Sequence, residues 1–178
     1  PCMKQILLMS LVLILGFTTG IKADNENQEP VETYPYPVNF ETLPMVSENY
    51  ILVDRKTGVI VGGKNIDEKV HFASITKVFT ALAALERIES EGKSLSDQMV
   101  ISPNIFPIDT YLTIAQFNPD DKFTYDDVIY GLMLPSGADA ANALSYDLTG
   151  SSEGLADDMN QLAQKIGMTN THFTNVTG

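Results

Sequence analysis

Over residues 74–88 the chain reads SITKVFTALAALERI, with Ile75, Val78, Phe79, Leu82, Leu85 and Ile88 at the three- and four-residue spacing of one helical face. Small and apolar residues fill most of the remaining positions, so the pattern predicts a helix buried nearly all round. It closes in the polar run Glu89-Ser90-Glu91-Gly92-Lys93, where Gly92 supplies a stop. Upstream, residues 47–54 and 58–64 are two short β-branched runs joined by Arg55-Lys56-Thr57, which predicts a β-hairpin. Two strands alone are marginal and call for further strands or a covering helix. Residues 94–124, broken by Pro103, Pro107 and Pro119, read as irregular connections with short elements. Three more helices are expected, over residues 125–134, 138–148 and 151–166, punctuated by Pro135, Gly150 and Gly167. Thr124 is the N-cap candidate of the first, and Asp126 and Asp127 suit the positive end of its dipole. The last has Ser151 but no acid at Gly154, so no capping box fixes its start.

The N-terminus changes this picture. Lys4 precedes an apolar run over residues 6–17, interrupted only by Ser10 and Gly16. That run falls short of the ~20 residues a spanning helix needs and reads as a signal peptide, residues 1–23, cleaved near Ala23. An uncleaved anchor is the alternative. Residues 24–44 are acidic and punctuated by Pro30, Pro35, Pro37 and Pro44, an exposed leader; the folded domain is expected over 45–178. With 178 residues, 44% hydrophobic and 19% charged, one ordinary globular core is the expectation. The net charge of −12, with Lys and Arg scattered, excludes the electrostatic footprint of nucleic-acid binding. Pro1 and Cys2 precede Met3, the expected natural start. The chain that follows has no cysteine, which excludes a disulfide framework, a thiolate nucleophile and a Cys-based zinc site. His71 and His172 are the only histidines, too few for a His-rich metal site.

Chemistry enters at Ser74 and Lys77. Three apart on a helix, they share a face one turn apart, so the amine can reach the hydroxyl. A serine needs a base to become a good nucleophile, and a lysine is one only if burial lowers its pKa. Ile75, Val78 and Phe79 are the expected source of that burial. Backbone N–H groups of the first turn could help stabilise an oxyanion. The same spacing recurs at Ser90 and Lys93, in a polar helix end where the lysine is expected to stay solvated and protonated.

The stretch Ala73-Ser74-Ile75-Thr76-Lys77 with Val78-Phe79-Thr80-Ala81-Leu82 closely resembles the nucleophile helix of the D-alanyl-D-alanine carboxypeptidases, the low-molecular-weight penicillin-binding proteins. Val53-Asp54 through Lys64-Asn65 resembles that family's opening hairpin, and Leu134-Pro135-Ser136-Gly137 with Asp139-Ala140-Ala141-Asn142 its second-motif loop. Met159-Asn160 and Gly167-Met168-Thr169-Asn170-Thr171-His172-Phe173 continue the resemblance. It implies an α+β fold of the β-lactamase/penicillin-binding-protein type, an antiparallel sheet packed with a helical region, of which this chain holds the N-terminal strands and most helices. It further implies that Ser74 is the nucleophile, Lys77 its general base and Ser136 the proton relay to the leaving amine. Gly137 and Ala138 would stand beside the substrate. Ser136 could also cap the helix that follows. His172 is expected to have a structural hydrogen-bonding role.

Two departures accompany the resemblance. Ala138 stands where the family usually has Asn and can neither hydrogen-bond the substrate amide nor hold the lysine; Asn142, one turn on, is a weak substitute. No Lys-Thr-Gly follows Ser136. Lys56-Thr57-Gly58 spells that tripeptide before the nucleophile, in the hairpin turn, and reads as accidental. The chain is therefore expected to be a fragment, cut before the third motif and inactive by itself. The implied substrate is the peptidoglycan stem peptide, with β-lactams as inhibitors, no metal or organic cofactor, and an extracytoplasmic location in the cell envelope. A membrane-anchoring segment beyond Gly178 is open. The alternatives are a non-catalytic penicillin- or peptidoglycan-binding relative, for which Ala138 speaks, and a β-lactamase, for which no Glu-x-x-Leu-Asn segment is found after Ser136.

Overall fold

In the computed structural model, which describes residues 45–178, the apolar run forms helix α1, Thr76–Ser90. Its Phe79, Leu82, Leu85 and Ile88 are buried, as are the small residues Ala81, Ala83 and Ala84 between them. A helix buried over most of its length must be enclosed, with only Glu86, Glu89 and Ser90 exposed, and α1 packs against three others: α2 (Tyr125–Met133), α3 (Ala138–Thr149) and α4 (Leu155–Lys165). Ile129 and Leu132 of α2, Leu144 of α3, and Leu155 and Met159 of α4 meet it in one core. Each such side chain contributes roughly 1.5–3 kcal/mol by leaving water.

The strands form two antiparallel pairs. β1 (Tyr50–Val53) pairs with β2 (Ile60–Lys64) as the expected hairpin. Its turn is built by Asp54, whose Oδ1 accepts from the Lys56 and Thr57 amides and the Thr57 hydroxyl, and by Gly58 at φ +72°. Lys56-Thr57-Gly58 is thus a turn sequence in this fold. The second pair, β3 (Gln98–Val100) with β4 (Lys122–Thr124), falls in the stretch read as irregular. Three-residue strands are too short to show an alternating pattern, and their partners lie over twenty residues apart.

Two helix starts differ from expectation. A 3-10 turn, Ala73–Ile75, precedes α1, with Ala73 at φ +46°. Helix α4 begins at Leu155 rather than 151, because the buried Ser145 hydroxyl of α3 donates to the Ser151 carbonyl (2.9 Å) and accepts from the Leu155 amide (3.0 Å). The preceding helix thereby does the capping that the local sequence lacks. Thr124 does cap α2: its hydroxyl accepts from the Asp127 amide (3.1 Å), and the Asp127 carboxylate accepts from the Thr124 amide (3.0 Å). Thr124→Ala is expected to cost about 1 kcal/mol, read as a lower urea midpoint with unchanged slope.

An irregular segment, residues 173–178, bent at Asn175, lies back across the start of α1. The Phe173 ring meets Phe79 with centroids 4.8 Å apart. Among the described residues no helix is long and apolar enough to cross a membrane. The expected signal peptide and leader lie outside the described residues.

Candidate active site

The 3-10 turn presents Ser74 to solvent while α1 buries Lys77, which is 3% exposed. Lys77 Nζ donates to Ser74 Oγ at 3.2 Å and to the Thr177 carbonyl at 2.9 Å. Burial pushes the amine below the ordinary lysine value, the direction a general base needs. The expected source of that burial needs correction. Ile75 lies in the turn and is 57% exposed, and Val78 is only half-buried. The 3-10 geometry rotates Ile75 off the helical face, whereas Phe79 is buried as expected; helix packing and the 173–178 segment add to the enclosure of Lys77. The turn also uses the Ile75 and Thr76 amides internally, through the Phe72 and Ala73 carbonyls, so they are not free for an oxyanion.

The second Ser-x-x-Lys copy shows how little the spacing decides. The Ser90 hydroxyl donates to the Arg87 carbonyl (2.9 Å), and Lys93 pairs with Glu91 (2.9 Å) over the Tyr125 ring. The Lys93 amine is pushed up, by Tyr125 first and Glu91 second, the opposite of Lys77.

Ser136 sits between α2 and α3 at φ +61°, a left-handed conformation that costs a non-glycine residue energy and that clusters at functional sites. Gly137 follows because a Cβ there would stand 2.6 Å from the Gly131 carbonyl and 3.0 Å from the Ala115 Cβ. Gly137, not Ser136, occupies the N-cap of α3, and no side chain caps it. Ser136 is held through its backbone: Thr113 Oγ1 donates to its carbonyl (2.8 Å), and the Ala138 amide donates to the Thr113 carbonyl (2.8 Å). The buried Asp139 completes this junction, accepting the Ala115 and Ala140 amides on Oδ1 (2.8 and 2.9 Å) and the Phe117 amide on Oδ2 (3.1 Å).

Ser74 and Lys77 are thus brought into contact, while Ser136 and Gly137 are set by the 113–117 loop. Among the described residues no hydrogen bond joins Ser136 to the pair, and Asn142, half-buried, forms none with either motif. Ala138 has no accessible surface. His172 is exposed and its side chain makes no hydrogen bond among the described residues, so the structural bond expected of it is not formed there. Among the same residues no three His, Cys, Asp or Glu side chains gather as metal ligands. Sequence reasoning missed Thr177, which acts through a carbonyl 100 residues from Lys77 and leaves no signal in the sequence. It also gave Asp139 no structural role beyond its place in the second-motif loop, because the loop amides that it accepts lie more than twenty residues away.

The fold is that of the penicillin-binding proteins. Penicillin binding protein 6B from Escherichia coli superposes with a TM-score of 0.70 at 24% identity, over 86% of this chain and 47% of that one. The D-alanyl-D-alanine carboxypeptidase DacD from Francisella tularensis superposes with a TM-score of 0.70 at 29% identity, over 85% of this chain and 35% of that one. DacF of Bacillus subtilis, a D-alanyl-D-alanine carboxypeptidase, is 29% identical over 132 residues, 74% of this chain and 33% of its own length. A profile of the D-alanyl-D-alanine carboxypeptidase family matches residues 38–178. The chain belongs to that family. It spans between 33% and 44% of the length of such curated relatives.

Proposed function

We propose that the protein is a serine D-alanyl-D-alanine carboxypeptidase of the cell envelope, exported by its N-terminal signal and acting on peptidoglycan stem peptides. The observation that carries this is the buried Lys77 amine 3.2 Å from the exposed Ser74 hydroxyl. Neutral Lys77 takes the Ser74 proton as Oγ attacks the carbonyl of the penultimate D-alanine. The C–N bond then breaks, and the terminal D-alanine leaves with a proton passed from Lys77 through Ser136. Water, activated in turn, adds to the ester and restores Ser74. A β-lactam would acylate the same oxygen and remain on it.

A non-catalytic relative that only captures penicillin or wall peptide is the second reading, favoured by Ala138, which offers no amide to hold substrate or lysine. A fluorescent penicillin incubated with the full-length protein is expected to leave a covalent adduct on the peptide containing Ser74, identified by mass spectrometry. Release of D-alanine from a pentapeptide then separates the carboxypeptidase from the binder and from a β-lactamase. Absence of any adduct on Ser74 would overturn the enzyme reading.

A further inference from the structure

Beside the contact between Lys77 and the Thr177 carbonyl lies a second bond to the same segment. Thr80 lies one turn after Lys77 on α1 and has no exposed surface. Its hydroxyl has one proton and three acceptors near it: the Val176 carbonyl at 2.7 Å, the Thr76 carbonyl at 3.4 Å and Met159 Sδ at 3.6 Å. The short bond to Val176 takes it. Successive side chains of one helical face, Lys77 and Thr80, therefore hold successive carbonyls of the terminal segment, Thr177 and Val176. A second latch lies further back, where Asn160 of α4 donates to the Phe173 carbonyl (2.8 Å) and accepts from the Phe173 amide (2.7 Å). Asn175 shapes the end, its Oδ1 accepting the Thr177 and Gly178 amides (3.1 and 2.6 Å).

We propose that Thr80 is a positioning residue of the reaction: it holds the 173–177 segment against α1, while Asn160 ties the segment to α4 and Asn175 shapes it from within, so that the Thr177 carbonyl anchors the Lys77 amine and water is kept from it. This rests on Lys77 being the general base proposed above. The clamp supplies the anchor that Ala138, having no polar group, cannot. On the elements packed against α1, Asp139 of α3 accepts backbone amides, Asp158 of α4 pairs with Arg87 (3.0 Å), and His172 is exposed at the start of the 173–178 segment. Burial is the cause that lowers the Lys77 amine.

Thr80→Val keeps the side chain's shape and deletes the donor. In the full-length protein it is expected to slow penicillin acylation roughly 10- to 100-fold at neutral pH, as a misplaced catalytic group does. The alkaline-rising limb of the pH profile should move to higher pH as water reaches the amine. Thr80→Ser, which retains the hydroxyl, should restore both. A folded Thr80→Val protein with the wild-type profile would overturn the proposal. Should that variant not fold, Asn175→Ala loosens the same segment from the surface and is expected to move the limb in the same direction; an unmoved limb there overturns the clamp equally. Titration of Lys77 followed by NMR in these variants needs no turnover. A wild-type protein that takes no penicillin would therefore count against the proposed function, while an unshifted Lys77 titration would count against the clamp.

Discussion

Lys77→Met in the full-length protein is expected to lower the rate of acylation by penicillin by about 10²- to 10⁴-fold, the usual contribution of a positioned general base. Methionine matches the length and apolar stem of lysine, so the helical core around it is preserved while the proton acceptor is removed. Lys77→Arg should be as damaging, because a guanidinium stays protonated and cannot serve as the base. In the wild type the amine's value lies below that of a free lysine, so the neutral fraction grows as pH rises and reaches its plateau earlier than exposed lysine would allow. Acylation should climb along that limb, and the limb should be absent from Lys77→Met. Stopped-flow measurement with a chromogenic β-lactam across pH checks both. If Lys77→Met acylates at the wild-type rate, the amine is not the base and the mechanism fails.

The largest effect on stability is expected at Asp139. Its carboxylate is 1% exposed and accepts three backbone N–H groups, two of them from the loop beside Ser136. Asp139→Ala leaves those donors without partners in a place water reaches poorly, at roughly 1–3 kcal/mol for each that stays buried. A total loss of about 3–5 kcal/mol is expected, a fall in Tm of about 10 °C in a domain of this order of size. Asp139→Asn keeps one acceptor oxygen but turns an NH₂ towards the other side, so it should recover only part. Because the same bonds hold residues 113–117 against the Ser136 carbonyl, penicillin acylation should fall alongside stability. Thermal melting decides the matter: an Asp139→Ala protein melting within a degree or two of wild type would show that these amides find other partners.

The helices were readable because each writes its burial into a repeating local pattern. α1 was legible from its apolar spacing, α2 from Thr124 and its two acids, and the ends of α2 and α3 from Pro135 and Gly150, the last at φ +81°. The β3–β4 pair was not, since its strands are too short to alternate visibly and their register depends on the chain between them. The start of α4 was misplaced because its cap comes from Ser145, on the preceding helix. Ser136, read as the proton relay that could also cap α3, does not cap it: its left-handed backbone places Gly137 in that role.

By itself the sequence determined which residues are available for chemistry: a single cysteine at position 2, two histidines, and a Ser-x-x-Lys pair on an apolar helix. Local spacing could also place Ser74 and Lys77 on one face, because a helix sets side-chain direction within a turn. Only the tertiary structure decided that Lys77, and not Lys93, becomes a depressed amine. Solvation depends on what closes over a group, and the segment that closes over Lys77 arrives from 100 residues away through backbone carbonyls, which no side-chain pattern records.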